Sequence, residues 1–113
     1  MIVIYHNPKC SKSQEALETI KNSGKEFKIR EYLKEPLSED ELDGLLKKLH
    51  FSPLQLIRQN ESVWKDNFKS LNLSEGELIS IMSKHPKLIE RPVIENDNMA
   101  VVGRPPSNID LIL

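Results

Sequence analysis

The sequence predicts an α/β protein in which a βαβ unit, a helical insert and a ββα unit share one mixed four-stranded sheet. Three observations carry this. A short β-branched run, a helical run and an alternating run follow one another within roughly the first thirty residues, the length of a βαβ unit. The middle of the chain holds two helix starts of the same capping chemistry, each followed by apolar residues at helical spacing. The last third returns to strand-like runs flanking a turn-rich loop.

Ile2 to Tyr5 is short, β-branched and aromatic, as a buried strand is, and Pro8 ends it. After Cys10, Ala16, Leu17 and Ile20 share one helical face, and Ser23-Gly24 supplies the stop. Phe27 to Tyr32 alternates as a second strand, Phe27 and Ile29 opposite Lys28 and Arg30, which leaves Arg30 facing solvent. The crossover between the two strands is expected to be right-handed. The insert spans about 38–90. Ser38 caps and Glu41 caps back, Leu37 staples onto Leu42, and Leu42, Leu45, Leu46 and Leu49 form a stripe. Ser52-Pro53 opens a short helix carrying Leu54, Leu56 and Ile57. Trp64 to Leu71 reads as helical. Ser74 and Glu77 repeat the capping box ahead of Leu78, Ile81, Met82 and His85. Pro92 to Glu95 and Met99 to Val102 flank Asn96-Asp97-Asn98 as a hairpin, and Ser107 can cap a last short helix, Asn108 to Ile112.

Composition narrows the function classes. A chain of 113 residues suggests one domain. Its 38% hydrophobic and 29% charged residues are those of an ordinary soluble protein. A net charge of −1 supplies no general field for nucleic acid. The longest apolar run, Met1 to Tyr5, is too short for a transmembrane helix or a secretory signal, so no membrane association is expected. A single cysteine forbids an internal disulfide and points to the cytoplasm. One cysteine and three scattered histidines do not make a metal site.

Cys10 is the residue around which the chemistry is read. A free cysteine is ordinarily a small buried hydrophobe. Here it stands in a turn after Pro8, at a helix start and beside Lys9 and Lys12, where the free N–H groups and the dipole favour a thiolate. Cys10-Ser11-Lys12-Ser13 has the spacing of a redox Cys-x-x-Cys with serine second. Ser13 cannot resolve a covalent intermediate, so the resolving thiol comes from outside, from a small thiol or a dithiol protein. Ser13 can instead hydrogen-bond the thiolate or an anion. His6, in the same turn, either holds the loop or helps keep the thiol ionised. Only four arginines stand against twelve lysines. Arg58, Arg91 and Arg104 lie at the edges of elements, where guanidinium forks suit a tetrahedral oxyanion, but spacing alone leaves their convergence on Cys10 open.

The chain resembles the glutaredoxin-coupled, ArsC-type arsenate reductases over essentially its whole length. The residues that carry this are Tyr5-His6-Asn7-Pro8-x-Cys10-x-x-Ser13, Tyr32-Leu33 ahead of Pro36-Leu37-Ser38-x-x-Glu41-Leu42, Leu56-Ile57-Arg58, His85-Pro86-x-Leu88-Ile89-x-Arg91-Pro92, and Arg104-Pro105. The resemblance implies a thioredoxin-like fold with a helical insert. It implies Cys10 as the catalytic cysteine, Arg58, Arg91 and Arg104 as the oxyanion-binding trio, His6 as an assistant to the cysteine and Pro92 as a cis-proline. It also implies an arsenical-resistance enzyme with no bound cofactor. Cys10 attacks arsenate, glutathione joins the adduct as co-substrate, glutaredoxin reduces it, and arsenite leaves. Lys9, Ser11 and Lys12 depart from the small neutral residues of better-known members, and the sequence after Arg104 is shorter than theirs. Both departures point to a shorter subgroup. Two other readings share the fold: a thiol-redox protein that does not act on arsenate, and an Spx-like regulator that binds RNA polymerase. The oxyanion trio argues against the first, and Ser13, which removes a Cys-x-x-Cys switch, against the second.

Overall fold

The computed structural model describes residues 1–113. Its strands are β1 (Ile2–Tyr5), β2 (Phe27–Arg30), β3 (Val93–Glu95) and β4 (Ala100–Val102), and its helices α1 (Ser11–Asn22), α2 (Glu39–Leu49), α3 (Pro53–Leu56), α4 (Ser62–Asn67) and α5 (Glu75–Lys84). The strands form one mixed sheet in the order β2-β1-β3-β4, with β1 parallel to β2 and antiparallel to β3, and β3 antiparallel to β4. No helix is long and apolar enough to cross a membrane. The fold is the expected α/β arrangement. The chain divides into two compact units, Met1–Glu35 with Arg91–Leu113, and Pro36–Glu90.

The first unit contains the sheet. Its core is Ile2 and Ile4 of β1, Ala16 and Ile20 of α1, Ile94 and Val101 of the hairpin, and Ile109 and Ile112 near the end of the chain. Ile4, Ile20 and Ile94 have no exposed surface, and each such side chain stabilises the fold by about 1.5–3 kcal/mol. Gly24 follows α1 with φ +74°, the left-handed conformation that lets the chain leave a helix. The hairpin turn is set by Asn96, whose Oδ1 accepts from the N–H groups of Asn98 and Met99.

Several sequence expectations change here. β2 ends at Arg30, and residues 31 to 35 form a turn that folds back, so Arg30 is only partly exposed: its Nε donates to the Glu35 carbonyl at 3.0 Å. Ile29 is 47% exposed, near the end of β2, an edge strand with β1 as its one neighbour, while Phe27 on the same face packs on the core. The last helix is a 3₁₀ segment that starts a residue before its expected cap, Pro106–Leu111, with Pro106 in the first turn. Asn108 Nδ2 reaches back to the carbonyls of Val102 and Arg104, which ties this segment to the end of β4.

The second unit is helical. Both capping boxes form: Ser38 Oγ accepts from the Glu41 N–H and Ser74 Oγ from the Glu77 N–H, while each glutamate accepts from the backbone N–H of its serine. Leu42, Leu45, Leu46 and Leu49 are buried, as are Leu78 and Met82. Ser83 Oγ donates to the Leu37 carbonyl at 2.7 Å and joins α5 to the start of α2. α4 begins and ends earlier than expected. Its Trp64 is buried against Phe68, whose ring in turn meets His85. In α3 Leu56 is buried, as is Ile57 just after it, but Leu54 is 41% exposed, since one turn of helix has room to bury only one side.

Candidate active site

The end of β1 and the start of α1 build the loop around Cys10. Asn7 closes it twice: its carbonyl accepts from the Cys10 N–H and its Oδ1 from the Lys9 N–H, each at 3.0 Å. Cys10 is the N-cap residue of α1, with extended φ −99° and ψ 120°, and no side chain closes a capping hydrogen bond there. The first turn of α1 holds no acidic residue. Cys10 is buried. That burial alone pushes the thiol up, but it is outweighed by the Ser13 N–H, the Arg91 guanidinium and the Lys12 N–H, which together hold the Cys10 pKa below its ordinary value.

Ser13 has no exposed surface. Its Oγ accepts from the Asn7 N–H at 3.0 Å and lies 2.6 Å from His6 Nδ1. With one lone pair engaged by Asn7, the hydroxyl can either donate its proton to Nδ1 or accept one from it on the second lone pair, so the contact fits both tautomers of a neutral His6. Burial lowers the His6 pKa, opposed by Glu31 and aided by Lys21. The side chain that meets His6 is therefore Ser13. The sequence placed His6 in the right turn but did not show this partner.

Arg91 and Arg104 flank the sulfur. The Arg91–Pro92 bond is cis, as the resemblance implies, and so is Arg104–Pro105, which nothing in the sequence singled out. Arg104 Nη2 lies 4.0 Å from Cys10 Sγ, and Arg104 Nε donates to the Arg91 carbonyl at 2.8 Å, so the two arginines are joined. Nε and Nη1 of Arg91 are buried with no hydrogen-bond partner. Buried donors left unmet are costly in a folded protein. Behind them, the Gly103 N–H donates to the Pro92 carbonyl at 2.8 Å, and a Cβ on Gly103 would lie 3.0 Å from Pro92 Cγ.

The first unit thus brings together Cys10, His6, Ser13, Arg91, Pro92 and Arg104. Arg58 belongs to the helical unit, where its N–H donates to the Leu88 carbonyl and its Nη1 meets Glu61 Oε1 at 2.5 Å.

Residues 5–112 match the model of the ArsC family. The chain is 40% identical to an arsenate reductase of Haemophilus influenzae over 99% of its own length and 98% of that protein's. It is 42% identical to the uncharacterized protein YfgD of Escherichia coli, over 96% of its length and 92% of that protein's. The solved structure of an arsenate reductase from Vibrio cholerae superposes with a TM-score of 0.93 at 39% identity, covering 99% of this chain and 97% of that one.

Proposed function

The chain belongs to the ArsC family, and on that premise we propose that it reduces arsenate to arsenite, with Cys10 as nucleophile and glutathione and glutaredoxin as electron donors. The observation that supports this most is the pair of unmet buried donors on Arg91, beside a sulfur whose ionised form is favoured. A tetrahedral oxyanion is the ligand whose charge and geometry meet both needs.

In the proposed reaction the Cys10 thiolate attacks arsenic and a hydroxide leaves as water, giving a Cys10–S–As(V) adduct. Arg91 and Arg104 neutralise the oxyanion and the charge that develops on it. Glutathione condenses with the adduct, losing a second water and forming a second As–S bond. A glutaredoxin thiolate then attacks the glutathione sulfur. The resulting disulfide carries away one electron pair's worth of oxidation, and arsenic becomes As(III). Hydrolysis of the remaining Cys10–S–As bond consumes one water, releases arsenite and regenerates the thiol. Overall, arsenate and two thiols become arsenite, a disulfide and water. Ser13 and His6 hold the loop, and Pro92 positions Arg91. Dependence on outside thiols suits a reducing compartment, and we assign the protein to the cytoplasm.

By the same proposal Arg58 is the third oxyanion ligand. Arg58→Lys is expected to raise KM for arsenate, and an unchanged KM would remove it from the site. The reading as a whole is tested by arsenite formation from arsenate with purified protein, glutathione and glutaredoxin. Activity is expected to need both donors and to vanish in Cys10→Ala. Rapid alkylation of Cys10 without any arsenite formation would replace arsenate with another substrate and favour the thiol-redox reading.

A further inference from the structure

Arg104 is an exposed residue just past the end of β4, the edge strand whose one neighbour is β3. A long side chain that is free in water loses conformational entropy when a ligand orders it, and that loss weakens binding. The backbone around Arg104 is nonetheless held, and Asn108 holds three of its carbonyls. The Asn108 side-chain amide donates to the Val102 carbonyl at 3.0 Å and to the Arg104 carbonyl at 3.3 Å, and the Asn108 N–H donates to the Pro105 carbonyl at 3.0 Å. We propose that Asn108 is a positioning residue for the anion site: it fixes the backbone of Arg104, so that the guanidinium is set beside Cys10 before an oxyanion arrives. The assignment rests on the oxyanion reading above.

Three features support it. First, this place in the fold calls for a double donor. Successive residues of a strand turn their N–H and C=O groups to opposite sides. Gly103 turns its N–H to the Pro92 carbonyl, on the β3 side, so the Val102 carbonyl faces away from the ladder. Pro105 and Pro106, which follow Arg104, have no N–H to offer. Two carbonyls are both acceptors, so the nitrogen of the Asn108 amide faces them, and its two hydrogens serve one carbonyl each. Second, the contacts run on from the Arg104 backbone into the site. Arg104 Nε donates to the Arg91 carbonyl at 2.8 Å and Nη2 lies 4.0 Å from Cys10 Sγ, so a shift of the Arg104 backbone displaces both. Third, Asn108 has its backbone N–H and both amide hydrogens engaged by carbonyls, which leaves none for an anion. It therefore acts through Arg104 and not on the ligand.

The test is a double-mutant cycle on anion affinity in the full-length protein. Affinity is read as the arsenate concentration that protects Cys10 from alkylation, with no other thiol present. Asn108→Ala is expected to weaken protection about tenfold, within the range for members of one hydrogen-bond network. Added to Arg104→Ala, the same change is expected to alter protection by about twofold or less, because the group it positions is gone. Asn108→Ser, whose hydroxyl serves one carbonyl and not two, is expected to fall between wild type and Asn108→Ala, and it carries the test if Asn108→Ala does not fold. The pH midpoint of Cys10 alkylation without arsenate is expected to stay, since the Ser13 and Lys12 N–H groups and Arg91 favour the thiolate and Asn108 bonds none of them. A role in stability alone gives a lower denaturant midpoint with unchanged protection, and that result would overturn the proposal. So would an equal loss of protection in the Arg104→Ala background, or a shifted alkylation midpoint. Failure of the arsenate reading is separable. Protection that depends on Asn108 without arsenite formation removes the reduction and leaves the positioning; arsenite formation with equal protection in Asn108→Ala removes only the positioning.

Discussion

Helices α2 and α5 begin one way and α1 another. At Ser38 and Ser74 a hydroxyl accepts a backbone N–H and a glutamate returns the favour, and the first turns carry Glu39, Asp40 and Glu41, or Glu75 and Glu77. At Cys10 no side chain closes a cap and the first turn has no carboxylate. Each helix faces the same physical demand, because its first N–H groups have no partner within the helix and its N-terminus is electropositive. α2 and α5 meet that demand with their own side chains. On the proposed function, α1 leaves it for a charge that is supplied by chemistry, the Cys10 thiolate or an anion beside it. A carboxylate in that first turn would compete with either. On the proposed function, the contrast separates two helix starts that serve folding from one that serves a reaction.

The sharpest way to break the contrast is to give α1 an ordinary cap. Cys10→Ser is expected to abolish arsenite formation while stabilising the protein by about 0.5–1 kcal/mol, as a good N-cap does; chemical denaturation and an arsenite assay check both halves. Loss of stability would show that α1 was not left uncapped. Next in size is Arg91→Lys, which keeps the charge and removes the fork. An expected drop in kcat/KM of about 10²-fold, the scale of losing one oxyanion donor, should come with little change in denaturant midpoint, since two of the donors lost have no partner in the protein. On the other side of the comparison, Ser38→Ala or Ser74→Ala is expected to cost about 1 kcal/mol of stability while the rate of Cys10 alkylation at fixed pH stays as it was.

The smallest effects are in pH dependence. Alkylation of Cys10 is expected to follow a titration with its midpoint below about 8.5, the unperturbed thiol value, and a midpoint at or above it would remove the thiolate. For His6 the fold lowers the pKa, so the fold prefers the neutral ring. The stability this contributes is complete above the ordinary value of 6.5 and is lost as pH falls through the lower value in the folded protein. Imidazole resonances followed by NMR between pH 4 and 8 check the direction, and a His6 midpoint above 6.5 would reverse it.

Local chemistry was the legible part of the sequence. β1 lies over the residues its β-branched run marks, and both capping boxes form at the serines and glutamates named for them. Such signals are complete within a few residues. What depended on distant neighbours was not legible. Ile29 alternates as a buried strand residue does, yet it is exposed near the end of β2, an edge strand with one neighbour. Arg30 alternates outward, yet the following turn folds a carbonyl onto it. At the site, Cys10, Arg91 and Arg104 were nameable as residue types at element edges. The carbonyl of Arg91 held by Arg104, and the Ser13 hydroxyl held between the His6 ring and the Asn7 N–H, are contacts that no spacing encodes.

Gly103 carries a consequence of its own. It donates its N–H to the Pro92 carbonyl, and the nearest atoms to any Cβ it might bear are Pro92 Cγ at 3.0 Å and Ile94 Cδ1 at 3.2 Å. Pro92 follows Arg91 and Gly103 precedes Arg104. A single methyl at this position would press on the side chains of Pro92 and Ile94, and one or both would have to give way. The close approach of the segments that carry Arg91 and Arg104 therefore depends on the absence of one carbon atom, at a residue with no side chain of its own.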